Sequence, residues 1–426
     1  MRADARRIIL VLAAAAAFLL PPGCGDDEEP LKVGVLVDCS GILEAYADGE
    51  LAGAELPIKL RSGSAGGRPV EFVKGCTEVG SLTLTIARTR SLIEADGVDV
   101  VVGPAGEPEG VLMRRLAHRY PDVTFILTAG AAQEATLRHS QPNVFRFVAD
   151  APQSAAGLAT YARRDLGWRR AAVAFDYTPA AWEATAGFVA EFCSLGGEVS
   201  EQGPFTGDPA DRAVAARMAR GADGVFVSSG FYPAAEFLRA YRRDVGRLPG
   251  RLVLHGYGFS VPHALTLDGV DLSGVVLGGD MPQATERPQW RRYLRSFAET
   301  NPDMPPRTAR DALVLPYYVG VEGLARALEQ VDGDIGPGGK DLRAALERVR
   351  FEGPMGPIRL DARRQAVVSV HLRRVMARGE RVRTEPIRVV DGVDQSYGGI
   401  FTPRTRTPSL FALSCKRAKP PARARG

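Results

Sequence analysis

After residue 20 the 426-residue chain has no run of eighteen uncharged apolar residues, so nothing beyond that point is long enough to span a bilayer. Cysteine is scarce, five in all, and no C-x-x-C pair occurs, which removes the usual zinc and thioredoxin-type sites. The histidines at 118, 139, 255, 263 and 371 show neither H-E-x-x-H nor any paired ligand spacing. No G-x-G-x-x-G follows the first strand-like run and no G-x-S-x-G elbow is present, so dinucleotide binding and the commonest serine-hydrolase arrangement lose their signatures. GPGGK ending at Lys340 looks like a phosphate loop, but Asp341 follows where Ser or Thr must reach magnesium; it reads as a helix-entry turn. The 47 glycines and 30 prolines have no G-X-Y period, and 45% hydrophobic with 24% charged residues is globular composition, so collagen and global disorder are excluded.

A strong charge of one sign is also missing. The formal net charge is +4, yet the first 23 residues hold +2 and the last eleven +5, leaving −3 on the body. A polyanion-binding fold is not supported, and no nucleic-acid partner is expected.

What is present begins with an address. MRADARR is basic, and the thirteen apolar residues 8–20 follow, too short to cross a bilayer and ended abruptly by Pro21, Pro22 and Gly23. Residues 1–23 are expected to be an export signal. Gly23-Cys24 resembles the end of a bacterial lipobox, so Cys24 is expected to be lipidated and residues 24–30 to form an acidic linker to a soluble, extracytoplasmic body. In that compartment disulfides persist. Cys39 and Cys76 each follow a strand-like run; if those strands are parallel neighbours, their thiols lie at one sheet edge within bridging distance. The sequence leaves the pairing of Cys193 and Cys415 open.

Short apolar runs at 31–37, 98–103 and 123–127 alternate with helical patterns at 82–95 and 110–119. A second series has strands at 171–175, 224–228 and 252–255 with helices at 182–195, 209–219 and 234–244. This predicts two consecutive α/β units with parallel sheets covered on both faces. Helices follow at 290–299 and 308–330, the latter kinked or split at Pro316, then strands at 358–360 and 366–375. GPMGP at 353–357 reads as a crossing linker, and 392–426 as a Pro/Arg-rich appendage.

KVGVLV (32–37), Ser40-Gly41, Tyr46, Asp48 and GAE (53–55), then GVDVVVGP (97–104), PNVFR (142–146), YPAAEFLR (232–239) and GPMGPIRLD (353–361), together resemble the type I periplasmic solute-binding proteins of ABC transporters, leucine/isoleucine/valine-binding branch. That resemblance implies two doubly wound parallel-sheet lobes joined by a three-segment hinge and closing on a ligand. It places one lobe at 31–147 with 282–352 and the other at 148–281 with 353–391. Delivery would be to ABC permease subunits, without enzymatic activity, cofactor or metal; a ligand-sensing receptor and an uncharacterised enzyme are the alternatives.

For the site, the resemblance implies a cleft built from Ser40, Tyr46, Glu107, Thr128, Ala129, Ala131, Trp182, Phe231 and Tyr257. Tyr46 matches a cleft aromatic, and Phe231 falls where the family has tyrosine. Glu107 and Ala131 replace hydroxyls that hold a ligand carboxylate, and Tyr257 replaces the acid that holds its ammonium. A zwitterion would leave a charge unpaired there, at a cost of several kcal/mol. The ligand is therefore expected to be a small organic molecule other than a standard aliphatic amino acid.

Overall fold

The computed structural model describes residues 29–130, 132–230, 234–256, 259, 270–279, 287–378, 381–404 and 415; the export segment and Cys24 lie outside them. The first unit runs through β1 (Leu31–Asp38), α1 (Ala47–Lys59), β2 (Ser64–Ala65), β3 (Arg68–Thr77), α2 (Leu82–Glu94), β4 (Val100–Val102), α3 (Glu107–Arg119), β5 (Thr124–Leu127) and β6 (Val144–Arg146). Its sheet has the order β2-β3-β1-β4-β5-β6, parallel except for the β2–β3 pair. Alternate residues of one strand feed two separate cores: Val33, Val35, Val102 and Ile126 pack on one face, Leu36, Val101, Phe125 and Leu127 on the other. That is why these strands read as continuous apolar runs rather than as alternation.

The second unit begins with two short turns of helix, α4 (Ala151–Ser154) and α5 (Leu158–Thr160), and continues through β7 (Arg170–Phe175), α6 (Pro179–Ser194), β8 (Glu198–Pro204), α7 (Asp211–Gly221), β9 (Gly224–Ser228), α8 (Ala235–Val245), β10 (Leu252–His255) and β11 (Val276–Gly279). The chain then returns to the first unit as α9 (Pro288–Thr300), α10 (Leu315–Gln330) and α11 (Lys340–Arg348), with α9 and α10 both packed on α1. Trp290, Tyr293 and Phe297 make the buried stripe of α9 at helical spacing; each contributes roughly 2–3 kcal/mol by burial. Gly53 lets α1 approach α10 closely, since a Cβ there would lie 2.7 Å from the Val314 carbonyl oxygen. The expected kink at Pro316 is a split: a 3-10 turn at Thr308–Arg310 precedes α10, and the proline stands in the first turn of that helix, where its missing N–H has no partner to lose.

Four last strands, β12 (Arg350–Gly353), β13 (Gly356–Leu360), β14 (Ala366–Arg378) and β15 (Arg381–Val393), join the second sheet. Its order is β12-β13-β14-β11-β10-β9-β7-β8, with β15 on β14. Strands β7 to β11 are parallel, whereas β12 to β15 are antiparallel to their neighbours, so the second sheet is mixed rather than purely parallel.

One reading is corrected here. Residues 353–357 are a hairpin rather than a linker, with Gly353 opposite Gly356 and only Pro354 and Met355 between them; Gly356 has φ +131, a conformation open to glycine. The chain after Gly392 packs on the body as far as residue 404: Gln395, Tyr397 and Phe401 are buried, and Cys415 is bonded to Cys193.

Candidate functional site

In the first unit the loops at the carboxyl ends of the strands carry the expected residues. The β1–β3 register sets Val37 beside Cys76, and Cys39 is joined to Cys76 by a disulfide with Cα atoms 5.2 Å apart. Ser40, half-buried, donates its hydroxyl to Glu78 Oε2 at 2.9 Å. Tyr46 ends a 3-10 turn at Gly41–Tyr46 and leads into α1; burial, and then Asp311, raise its hydroxyl pKa. Thr128 is enclosed, donating Oγ1 to the Pro104 carbonyl at 2.9 Å, and Ala129 beside it is buried. Gly103 permits the sharp exit from β4: its φ is +103, and a Cβ would lie 2.6 Å from the Leu36 carbonyl oxygen.

From the second unit Trp182 stands half-buried in the first turn of α6, a helix capped by Thr178, whose hydroxyl accepts from the Ala181 N–H. Glu107 opens α3. Ala131, Phe231 and Tyr257 lie outside the described residues.

Several polar groups at the same strand ends were not singled out from the sequence. Asp38, the last residue of β1, accepts from Thr77, and its own N–H donates to Glu50 on α1. Burial pushes Glu50 up to about 8, with Asp38 adding to the shift. Burial likewise pushes Asp38 up to about 6 and raises Glu109, which takes the Gly80 N–H. This edge thus gathers three carboxyls that burial drives toward their protonated, uncharged forms, with Lys74 acting on Glu50 in the opposite sense.

The corresponding edge of the second unit carries His255, at the end of β10, and the buried Asp176 just past β7, whose carboxylate accepts from Thr178, Ser229 and Gly230. Ser154 donates to the Ala151 carbonyl and so accepts from His255 Nε2 at 2.8 Å, while Ser228 lies 3.1 Å from Nδ1. Burial lowers the imidazole to about 4, keeping it uncharged. These groups escaped notice because each is a lone Ser, Asp or His whose neighbours come from distant segments.

Between the units lies a buried hydrogen-bond network. Arg146, the end of β6, gives Nε to Gln365 Oε1 at 2.6 Å, Nη1 to the carbonyls of Gly130 and Ala132, and Nη2 to Thr136. Gln365, in the turn before β14, donates in turn to Val148 and to Gln153 of α4. A single β-bridge pairs Arg146 with Gln365 and so connects the two sheets. Gln133 extends the network: its main-chain N–H donates to Glu183 of α6 at 2.8 Å, and its side chain donates to the Gln395 carbonyl at 3.1 Å. Asn143, in the PNVFR motif, anchors the end of α3 by donating to the carbonyls of Ala117, Tyr120 and Val123. Among the described residues no His, Cys, Asp and Glu group is disposed to hold a metal ion, and no helix is long and apolar enough to cross a membrane.

Comparison with known proteins follows this geometry. Residues 30–380 match the model of a family described as periplasmic binding protein. No curated protein matches the sequence. Among solved structures, an ABC transporter substrate-binding protein from Sphaerobacter thermophilus superposes with a TM-score of 0.77 at 26% identity, covering 86% of this chain and 99% of that one. A solute-binding protein of an ABC transporter from R. palustris, in complex with benzoate, gives 0.69 at 23% identity over 86% and 97%. The branched-chain amino acid transporter substrate-binding protein LivJ from Streptococcus pneumoniae, in complex with isoleucine, gives 0.65 at 19% over 84% and 99%.

Proposed function

This chain belongs to the periplasmic binding protein family, and from that premise we propose that it captures a small, largely apolar or aromatic organic molecule between its two lobes for an ABC importer. The observation that carries the reading is the pair of α/β sheets whose carboxyl ends face a shared, hydrogen-bonded junction, within a family match that spans nearly the whole body. The lobes we assign are 31–147 with 282–349, and 148–281 with 350–391, the return moved to the start of β12. Residues 1–23 would direct export, and a lipid on Cys24 would hold the body at the membrane beside its permease.

Tyr46 and Trp182, with Phe231 and Tyr257, would cover the ligand body, while Ser40, Glu107 and the Thr128–Ala131 loop would set its orientation. The neutral Ser154–His255–Ser228 floor and the acidic edge at Asp38, Glu50 and Glu109 offer no fixed cation for a carboxylate. The relatives in complex with benzoate and isoleucine mark two ligand classes to compare, and this cleft favours ligands recognised by rings.

Thermal denaturation of the purified protein against a panel of aliphatic amino acids, benzoates and uncharged or cationic aromatics tests the reading. Leucine and isoleucine should leave Tm unchanged; a ligand at a hundred times its Kd should stabilise by about 2.7 kcal/mol. A panel in which only the aliphatic amino acids shift Tm would overturn the ligand class, and no shift with any compound would count against solute capture. Replacing Tyr46 and Trp182 together by Ala should weaken binding of the active compound by roughly a hundredfold.

A further inference from the structure

One contact crosses between the lobes in a place that matters for the cleft. Gln133 belongs to the turn that continues the Thr128–Ala129 loop of the first lobe. Glu183 follows Trp182 on α6 of the second. The Gln133 N–H donates to Glu183 Oε2 at 2.8 Å, with Gln133 wholly buried and Glu183 only 3% exposed. Gln133 is itself held from both sides: Arg138 of its own loop donates to its Oε1 at 3.1 Å, and its Nε2 reaches the Gln395 carbonyl beyond β15. A side chain on the ligand-facing helix of one lobe is thus bonded to the backbone of the ligand-facing loop of the other.

Resting on the two-lobe reading above, we propose that Gln133 and Glu183 form an inter-lobe latch that positions Trp182 over the Thr128–Ala129 loop, and that closing the latch takes up a proton on Glu183. Closure moves this carboxyl from water into a buried site where it accepts from the Gln133 N–H, and a charge so placed loses its hydration. Burial pushes Glu183 up to about 7, the Gln133 N–H opposing that shift.

The charges facing it are Asp150 at the cap of α4, which raises it further, and Arg138 and Arg146 of the first lobe, which lower it. Of the other elements packed on α6, α5 and β9 carry no charged residue, and Arg170 of β7 is exposed. On β8, Glu198 is exposed and Glu201 is paired with Arg217; on α3, Glu109 is engaged by Gly80. With the lobes apart the carboxyl is solvated and titrates near its ordinary range. The sign follows: the closed state holds the extra proton between roughly pH 4.5 and 7, so closure is favoured in acid and loses up to about tenfold per pH unit as pH rises through that interval.

Small-angle X-ray scattering of the ligand-free, full-length mature protein between pH 5 and 8.5 reads the open and closed populations directly, with the proton as the only probe. The wild type should expand as pH rises, whereas Glu183→Gln, neutral at every pH and still able to accept from Gln133, should stay compact throughout. Asp150→Asn removes a neighbour that raises Glu183, so its expansion should begin at lower pH than in the wild type. A second pair needs no change at Glu183: Gln133→Pro removes the N–H, and Ala132 at φ −57, ψ 123 already has the conformation a residue before proline adopts. Gln133→Ala keeps the N–H, so the proline variant should be the more open of the two at pH 8. A wild type whose radius of gyration ignores pH, a Glu183→Gln variant that follows the wild type, or indistinguishable Pro and Ala variants would each overturn the latch. None of these outcomes bears on whether the ligand panel shifts Tm, so the two ideas fail separately.

Discussion

Arg146 is wholly enclosed and gives its guanidinium hydrogens to groups from two segments of chain, the 130–136 loop and Gln365. Such a charge is retained only where every acceptor is in place, so Arg146→Met should cost about 3–5 kcal/mol in urea denaturation, by stranding the Gln365, Gly130 and Ala132 oxygens. Glu50 and Asp38 act in the opposite sense. Both hold their protons more tightly folded than unfolded, Glu50 up to about 8 and Asp38 up to about 6, because burial penalises their charge. The folded state therefore binds more protons between roughly pH 4 and 8, and its stability should fall as pH rises across that window and level off above it. Glu50→Gln should flatten the upper part of that decline when denaturation midpoints are compared at pH 5, 6.5 and 8; an unchanged profile would contradict the assignment. At this scale PNVFR could be read as a motif from the chain, but not the duties of its Asn143 and Arg146. Their partners come from 10 to 219 residues away.

Elements were legible in proportion to how apolar they are. The buried parallel strands β9 and β10 lie where their apolar runs predicted them, and α8 and α9 begin and end within two residues of their periodic stripes. The strand β15 was missed, since five of its thirteen residues are charged and Pro386 stands in its middle. The proline is tolerated because, among the described residues, β15 pairs with β14 alone, and the ladder shifts register between Leu372 and Arg373, where Pro386 sits opposite. GPMGP suggested a linker because turn formers mark any reversal, and only the pairing of β12 with β13 makes it a hairpin. Beyond β15, Tyr397 donates its hydroxyl to Glu191 near the end of α6, two residues before Cys193, which is bonded to Cys415. This disulfide restrains the chain end against α6, so replacing both cysteines by Ser should lower stability by about 2–4 kcal/mol, read as a fall in Tm under oxidising conditions.

For the molecule as a whole, the crossings between two sheets make closure the motion that couples ligand to shape. A compound that raises Tm should also reduce the radius of gyration in scattering; stabilisation without compaction would place binding outside the inter-lobe junction. The chain by itself determined that there are two α/β units, and which loops leave the carboxyl ends of the strands. Apolar periodicity and turn chemistry are local properties, readable a few residues at a time. The acidic edge at Asp38 and Glu50, the neutral Ser154–His255–Ser228 floor, the Arg146 network and the Gln133–Glu183 contact were decided only by the tertiary structure. Each joins groups far apart in sequence, and the desolvation that gives them their chemistry exists only once the sheets, helices and crossings have closed around them.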